Sequence, residues 1–218
     1  MAERLSAVTV LDDPARQALY ELVARSEQPM SRDEAARALG VTRRSAAFHL
    51  DRLAEAGLLA VQFRRLTGRT GPGSGRPSKL YRRTPDEVAV SVPERRYELA
   101  GELMAAAIER ALRTGEPVDE ALAQVAVSTG RSIGEGATSL ERALEENGFE
   151  PRRDSDGALS LGNCPFHRLA ARHTEIVCRL NLELLRGVAQ GVGEPDRVLV
   201  LDPGPHRCCV RALATGKA

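Results

Sequence analysis

The sequence contains no tryptophan, and aromatic residues make up only 3% of its 218 positions. Proteins that hold single-stranded nucleic acid stack the bases on aromatic side chains, so we do not expect that mode of binding here. No apolar run approaches the roughly 20 residues of a membrane-spanning helix, and the first residues lack the apolar core and cleavage site of a secretory signal. We therefore expect a cytoplasmic protein with no membrane partner.

Positive charge is concentrated in one segment, although the formal net charge of the whole chain is only +1. Between Thr42 and Arg83 there are ten Lys or Arg residues and two acidic residues. Clustered Lys and Arg neutralise phosphates and release condensed counterions. The segment therefore indicates contact with a polyanion, and a solvated basic face is the alternative.

Helix-capping signals precede and enter this basic segment. Asp12 and Asp13 can cap a first helix that runs to about Arg25. The sequence Ser31-Arg-Asp-Glu34 is a capping box, which predicts a second short helix that ends at Gly40. Two consecutive helices are therefore expected before the charge cluster begins.

A third helix follows after a tight bend at residues 39–42. Thr42 can cap this helix, and Gly57 ends it. Two helices joined by such a bend are typical of a helix-turn-helix. The predicted apolar stripe of the third helix comprises Phe48 or Ala47, Leu50, Leu53 and Ala54.

Two runs of strand-forming residues follow, at 58–63 and 80–81. The glycine-rich residues 67–77 lie between them, so a hairpin with a long flexible tip is expected. The segment 12–84 resembles the ArsR/MarR-like winged-helix repressors of bacteria. The residues that carry the resemblance are Arg44-Ser45, His49-Leu50, Leu53, Gly57-Leu58-Leu59, Gly75-Arg76-Pro77 and Leu80-Tyr81.

The resemblance implies a partner, a double-stranded DNA operator. A recognition helix enters the major groove with its N-terminal residues toward the base edges. Arg43 and Arg44 can each contact a guanine or a phosphate, and His49 is either a contact residue or a partly buried helix residue. The predicted DNA-binding residues are Thr42, Arg43, Arg44, Ser45, Ala46, His49, Arg69, Arg76 and Lys79.

A helical connector is expected in the middle of the chain. Residues 94–112 have one apolar helical face, which we expect to pack on the same helix of a second subunit, with packing on its own domain as the alternative. Residues 118–147 predict two further helices, the first of them broken by glycines. The apolar face comprises Leu99, Leu103, Ala106, Ala107 and Ala111.

All four cysteines and three of the four histidines lie between positions 164 and 209. Thiolate and imidazole are ligands suited to zinc and to the iron of iron–sulfur clusters. In one straight helix Cys164 and Cys178 would stand about 21 Å apart and could not share an ion. Their convergence requires a break, which residues 172–175 offer because Thr174 can cap a new helix.

Two hairpins are predicted around this helical region, at 149–161 and 197–212. The fold class is therefore α+β: an N-terminal winged helix-turn-helix, a helical dimerisation connector, and a small C-terminal antiparallel sheet with helices. The expected domains are 1–92 for DNA binding, 93–147 for the connector and 148–218 for a Cys/His-rich sensor. Because Cys208 and Cys209 are adjacent on a strand, we expect only one of them to face the site.

The C-terminal motif Asn163-Cys164-Pro165-Phe166, with Leu169-Ala170 and Val177-Cys178, is similar to the SufR family of winged-helix repressors, which carry a [4Fe–4S] cluster. The resemblance implies that Cys164, Cys178 and either Cys208 or Cys209 are ligands. The family has another cysteine in the strand where this chain reads Val-Leu-Val-Leu at 198–201. Our choice for the fourth ligand is His167, three residues beyond Cys164; an adjacent cysteine or an external ligand is the alternative, and His173 and His206 are weaker candidates.

We therefore expect a homodimeric DNA-binding transcriptional regulator, a repressor, that senses redox or metal status. The alternatives at the cysteines are a zinc site, metal-free thiol redox sensing and buried structural cysteines. A repressor that responds to a small organic effector in an apolar C-terminal pocket, with structural zinc or no metal, is a further alternative. We do not expect an enzyme, because no acidic orienting residue or oxyanion motif accompanies the cysteines and His173.

Overall fold

The computed structural model describes residues 2–65, 77–85, 87–204 and 207–214. Over these residues the chain mixes helices with small antiparallel sheets, which confirms the α+β prediction. It divides into two compact units, Met1–Val90 and Ser91–Ala218. None of the described helices combines the length and apolarity that a membrane crossing requires.

The helices are Ala2–Thr9 (α1), Pro14–Arg25 (α2), Arg32–Leu39 (α3), Arg43–Glu55 (α4), Tyr97–Thr114 (α5), Val118–Glu135 (α6), Leu140–Glu146 (α7), His167–Ala170 (α8) and Thr174–Gly191 (α9), with a 3-10 turn at Val10–Asp12. The strands are Met30–Ser31 (β1), Leu59–Arg64 (β2), Ser78–Arg83 (β3), Pro151–Arg153 (β4), Leu159–Leu161 (β5), Leu199–Leu201 (β6) and Val210–Ala212 (β7).

Local capping positions the helices of the N-terminal unit where the sequence predicts them. The Asp13 carboxylate accepts hydrogen bonds from two amides of the first turn of α2. In the capping box, the Ser31 amide donates to the Glu34 carboxylate over 2.7 Å, and the Glu34 amide donates to the Ser31 hydroxyl over 3.3 Å. Gly40 takes the left-handed conformation, with φ of 66°, that ends α3.

The three-stranded sheet of this unit has the order β1-β3-β2, and both pairings are antiparallel. The predicted hairpin is thus confirmed, while its tip, with Arg69 and Arg76, lies outside the described residues. The core beneath the sheet joins Leu19 and Val23 of α2 to Leu50 and Leu53 of α4 and to Tyr81. This packing fixes α4 between α2, α3 and the sheet.

Two long helices of the C-terminal unit meet backbone to backbone. A Cβ added to Gly130 of α6 would lie 2.0 Å from the Leu184 carbonyl oxygen, and one added to Gly187 of α9 would lie 2.1 Å from the Val127 carbonyl oxygen. The expectation that glycines break this helix is therefore wrong. They lie inside a continuous α6, where the absence of a side chain lets α9 approach.

The apolar face of α5 is already covered by its own unit. Leu103, Ala107 and Ala111 are buried in the same core as α6 and α9, while Leu99 packs at its edge. The expectation that this face meets a second subunit is therefore wrong, because α6 occupies it. Residues 93–147 thus share one core with the Cys/His-rich region.

The second sheet has the order β4-β5-β7-β6, with antiparallel pairing throughout, so both predicted hairpins are confirmed. The predicted helix break is also present, since α8 ends at Ala170 and α9 begins at Thr174. Thr174 does not cap α9 as expected. It is the first residue of the helix, and its hydroxyl donates to the Ala170 carbonyl over 2.8 Å.

Candidate nucleic-acid interface and cysteine cluster

The recognition helix α4 has one buried face and one open face. Ala46, Leu50 and Leu53 are fully buried against the core. At 100° per residue, Arg44 and Phe48 lie on the opposite side of the helix. Both residues are exposed. The open face is therefore a mixture of positive charge and one aromatic ring.

The arginines at the start of α4 differ in their surroundings. Arg43 makes an ion pair with Asp33 of α3, and its side chain is 65% exposed. Within the described part of the chain, no acidic group pairs with Arg44. Thr42 caps the helix by accepting a hydrogen bond from the Ser45 amide over 3.1 Å. Arg44 is thus the arginine that the fold leaves available to a base or a phosphate.

Two residues of the predicted reading set do not face outward. Ala46 is fully buried, because it lies on the core side of α4, so its side chain has no route to a base edge. His49 is half-buried, and its Nδ1 is buried without a hydrogen-bond partner among the described groups. The imidazole lies near Asp13, the cap of α2. His49 therefore faces the interior contact between α2 and α4, as the alternative interpretation held.

Lys79 is engaged by the recognition helix. Its ammonium group and the Tyr81 hydroxyl both donate to the same oxygen of Asp51, the latter over 2.7 Å. Burial alone would raise the pKa of Asp51, but the hydrogen bonds from Lys79 and Tyr81 outweigh it and lower that pKa. Burial, together with Asp51, raises the pKa of Tyr81. This carboxylate therefore ties β3 to α4.

The sequence offered Phe48 or Ala47 for the apolar stripe of α4, and Phe48 is 57% exposed. The ring meets the edge of His49, with centroids 5.3 Å apart and planes at 72°. The Arg52 guanidinium lies 5.9 Å from the ring centroid. The apolar periodicity of α4 allowed either Phe48 or Ala47 in the buried stripe. Only the packing of α4 against α2 decides which of the two side chains is buried.

The four cysteines of the C-terminal unit come together. The Cys208 thiol lies near the Cys164 and Cys209 thiols, and Cys209 also lies near Cys178. None of the four is in a disulfide, and Cys208 is only 2% exposed. The thiols thus follow one another in the order Cys164, Cys208, Cys209, Cys178, and we call these four residues the cysteine cluster.

Hydrogen-bond donors point at the sulfur atoms of the cluster. The Asn181 side-chain amide donates to Cys208 Sγ over 3.1 Å, and the Val210 amide lies near the same sulfur. The Phe166 amide lies near Cys164. Donors of this kind stabilise negative charge on sulfur, as in thiolates and metal-bound cysteines. The surroundings of Cys208 therefore favour its ionised form.

The thiols of the cluster titrate together. Contact with Cys164, followed by contact with Cys209, lowers the pKa of Cys208. Contact with Cys208 in turn raises the pKa values of Cys164 and Cys209. Cys208 is therefore the first thiol to lose its proton, and its neighbours act as donors to it.

Cys209 is the fourth member of the cluster, in the place where His167 was expected. The side chain of His167 is exposed, and its backbone amide donates to the Cys164 carbonyl. His173 is also exposed, and His206 lies outside the described residues. The expectation that only one adjacent cysteine faces the site is wrong. Cys208 and Cys209 precede β7 in a bend, where side chains need not alternate as they do on a strand.

The donor chemistry of the cluster fits a soft metal, because thiolates bind zinc and the iron of iron–sulfur clusters. The four thiols, however, follow one another in a series. In the described residues no group of three or more His, Cys, Asp or Glu side chains is set out as a shell around one ion. The residues thus match the metal in type, and metal ligation itself stays a prediction.

The loop that carries Cys164 is clamped through its neighbour. Asn163 is buried, and its amide nitrogen donates to the carbonyls of Glu94 over 3.0 Å and Gly148 over 2.6 Å. Its carbonyl oxygen accepts from the Arg95 guanidinium. All polar atoms of this side chain are therefore used to hold the start of the C-terminal unit against the Cys164 loop.

A family model for a helix-turn-helix domain matches residues 11–62. The match covers α2, α3 and α4 and enters β2. No curated protein matches the chain, and no solved structure does. The N-terminal unit therefore contains a helix-turn-helix domain, which supports the prediction of a DNA-binding transcriptional regulator of the winged helix-turn-helix type.

Proposed function

We propose that the chain is a transcriptional repressor that binds double-stranded DNA as a homodimer and senses redox or metal status through the cysteine cluster. The observation that carries the proposal is that four thiols from three separate segments lie close together. The segments contain Cys164, Cys178 and the pair Cys208-Cys209. A helix-turn-helix unit precedes them on the same chain.

The surroundings of the thiols favour a sensor over buried structural cysteines. A structural cysteine behaves as a small apolar group and needs no donor at its sulfur. Here Cys208 accepts a hydrogen bond from Asn181. Asn181 is fully buried, and its Oδ1 has no partner among the described groups. An apolar role would leave this buried amide unexplained.

In the metal form of the proposal, Cys164, Cys178, Cys208 and Cys209 hold an iron–sulfur cluster, [4Fe–4S] in type by the resemblance, or a zinc ion. The bound group supplies redox or metal-dependent charge at this position. The protein supplies four thiolates, and Asn181 with the backbone amides of Val210 and Phe166 stabilises their negative charge. Burial of Cys208 keeps bulk water from the sulfurs.

In the metal-free form, Cys164 and Cys208 join in a disulfide. The two thiols lose two protons and two electrons, and these reduce one molecule of hydrogen peroxide to two molecules of water. The Cys208 thiolate attacks the peroxide oxygen, and the Cys164 sulfur then displaces hydroxide from the resulting sulfenic acid. The contact between the two thiols supports this pairing.

Asn163 links the loop that carries Cys164 to the segment 91–96, which follows the DNA-binding unit. It neighbours Cys164 in the chain and holds the Glu94 carbonyl. The Arg96 amide donates to the carbonyl of Pro165, the residue after Cys164, over 3.1 Å. Residues 91–96 continue directly from the N-terminal unit, which ends at Val90. A shift of the Cys164 loop therefore alters the hydrogen bonds of the segment that leads to the DNA-binding unit.

The homodimer follows from how such domains read DNA, since two recognition helices address two half-sites one helical turn apart. Beyond its covered face, α5 leaves Ile108 and Leu112 exposed, Leu112 by 83%. These residues are four positions apart on one helical face and offer an apolar contact for a second copy.

The test is purification without oxygen, followed by elemental analysis, an absorbance spectrum and a DNA-binding titration before and after metal removal or peroxide treatment. We expect iron with sulfide, or zinc, and a change of at least tenfold in DNA affinity. Cys164→Ser and Cys209→Ser should abolish the metal content, whereas His167→Ala should retain it. Full metal content in Cys209→Ser, or DNA affinity that ignores both treatments, would refute the sensor.

A second candidate is a repressor that responds to a small organic effector. A cavity of about 500 Å³ opens in the C-terminal unit between α6 and the start of α9. Its lining is more charged than the apolar pocket that we expected, and it carries both signs. Asp119, Glu175 and Glu183 lie there with Arg172 and Arg179, beside Leu122 and Ile176. Melting of the metal-free protein against a series of organic acids, amines and amino acids tests this candidate, which requires a rise in melting temperature with at least one of them.

A further inference from the structure

Phe48 occupies the part of α4 that a recognition helix presents to DNA. It follows Arg44 by one helical turn on the open face, and Leu50 and Leu53 on the other side fix the orientation of that face. We propose that Phe48 reads the methyl group of a thymine in the major groove. The inference rests on the proposed DNA binding and adds a specificity-determining residue to it.

The ring is held in place although it is exposed. His49 meets it edge to face on one side, and the Arg52 guanidinium lies against it on another. Arg52 is itself paired with Glu55 over 3.4 Å. A side chain that is already ordered loses little conformational entropy when it binds, so the fold prepares this ring for a contact.

The chemistry of the ring restricts what it can recognise. A phenyl group has no hydrogen-bond donor or acceptor, and the apolar group that the major groove exposes is the C5-methyl of thymine. Arg44, one turn before Phe48 and without an acidic partner among the described groups, suits a phosphate or guanine near that base. The positive charge of the segment therefore favours DNA over an apolar protein surface as the occupant.

The position of the thymine follows from helix geometry. Arg44 and Phe48 are separated by about 6 Å along α4, at 1.5 Å per residue. Base pairs are spaced by about 3.4 Å along the DNA axis. The thymine should therefore lie within about two base pairs of the base or phosphate that Arg44 contacts.

The experiment begins with selection of bound sequences from random double-stranded DNA by the full-length protein. Each thymine of the selected site is then replaced by deoxyuridine, which differs only by the absent methyl group. We expect one position per half-site at which the replacement weakens binding of the wild type by about fourfold, the factor for one buried methyl group. Phe48→Ala should bind thymine and deoxyuridine equally there, and Phe48→Leu should keep part of the preference.

Since Phe48 is exposed, Phe48→Ala should melt with the wild type, and Val198→Ala, an exposed apolar residue of the other unit, provides the matched control for truncation. A selected site at which deoxyuridine replacement has no effect overturns the Phe48 assignment alone. The same holds if the wild type and Phe48→Ala lose equal affinity on methyl removal. If no sequence is enriched, the proposed function fails together with this inference.

Discussion

The two units of the molecule expose opposite kinds of chemistry. On α4 of the N-terminal unit, charged side chains stand in solvent, with Arg43 65% exposed. In the C-terminal unit, thiols are withdrawn from solvent, with Cys208 2% exposed. An exposed charged surface suits recognition of a macromolecule, whereas a buried thiol is reached by an ion or a small oxidant. Under the proposed function, DNA binding and sensing therefore belong to separate units, each with its own core.

The largest expected effect comes from a substitution that destabilises the C-terminal unit alone. Gly130→Ala would place a Cβ 2.0 Å from the Leu184 carbonyl oxygen, so α6 and α9 must separate. Overpacking of this kind typically costs about 1–3 kcal/mol and occasionally more, and a clash with rigid backbone belongs at the upper end. We expect a loss of at least about 3 kcal/mol in the free energy of unfolding of the C-terminal unit, measured by urea denaturation.

Gly101→Ala is the matched control, because Gly101 lies in helix α5 with no neighbouring atom within 4 Å of an added Cβ. Alanine in an exposed helix interior should stabilise the unit by about 0.5–1 kcal/mol. DNA binding by the N-terminal unit should survive in the control. Wild-type unfolding in Gly130→Ala would show that the close contact of α6 with α9 does not hold this unit together.

The two units also differ in what their sequences reveal. In the N-terminal unit the signals are local, since Asp13, the capping box at 31–34 and Gly40 each act within one turn, and the predicted helices are confirmed. In the C-terminal unit the hairpins and the helix break were equally visible. The sequence left open which of Cys208 and Cys209 lies near Cys178, because that depends on the bend before β7 and on how α9 packs.

Where the sequence misled, the cause was tertiary packing. A glycine inside a helical pattern usually lowers helix propensity, so Gly130 suggested a break. Only the position of α9 shows that it marks a close approach. Ala46 and Phe48 also differ from expectation: Ala46, predicted to face DNA, is fully buried, whereas Phe48, which the pattern offered with Ala47 for the apolar stripe, is exposed.

Asn163 tests whether the Cys164 loop depends on its clamp. Asn163→Leu keeps the volume and removes three hydrogen bonds, which leaves the Glu94 and Gly148 carbonyls without this partner. Each unsatisfied buried group costs about 1–3 kcal/mol, so we expect the C-terminal unit to lose about 2–4 kcal/mol. Urea unfolding measures the loss. Asn147→Ala is the control, since its side chain donates once, to the Ala143 carbonyl, and should cost about 1 kcal/mol. Equal losses in the two variants would contradict the clamp.

Arg44 and Arg43 of the N-terminal unit should differ in their contributions to operator binding. Arg44→Ala should weaken operator binding by about 1–3 kcal/mol if the side chain reads a base, with relaxed sequence preference. Arg43→Ala should have a smaller effect, because Asp33 already holds that guanidinium. Fluorescence anisotropy over a salt series separates the two roles, since a phosphate contact alters the salt dependence. An unchanged sequence preference in Arg44→Ala would remove it from base reading.

The smallest expected effect concerns the carboxylate that joins α4 to β3. Because the folded pKa of Asp51 is lowered, its stabilisation is complete above the unfolded value of 3.8 and is lost as pH falls through the lower folded pKa. The side chain is 42% exposed, so solvent screening limits the contribution to about 1 kcal/mol or less. Asp51→Asn should therefore be less stable than the wild type at pH 7 and approach it near pH 3.

Urea unfolding of both proteins across this pH range tests the assignment. Glu21→Gln is the control, because Glu21 pairs with the exposed Arg25 inside a single helix and joins no two elements. If Asp51→Asn differed from the wild type equally at both pH values, the loss would come from packing rather than from ionisation. A charge-dependent loss would instead mean that the ionised Asp51 carboxylate holds β3 against the recognition helix through Lys79 and Tyr81.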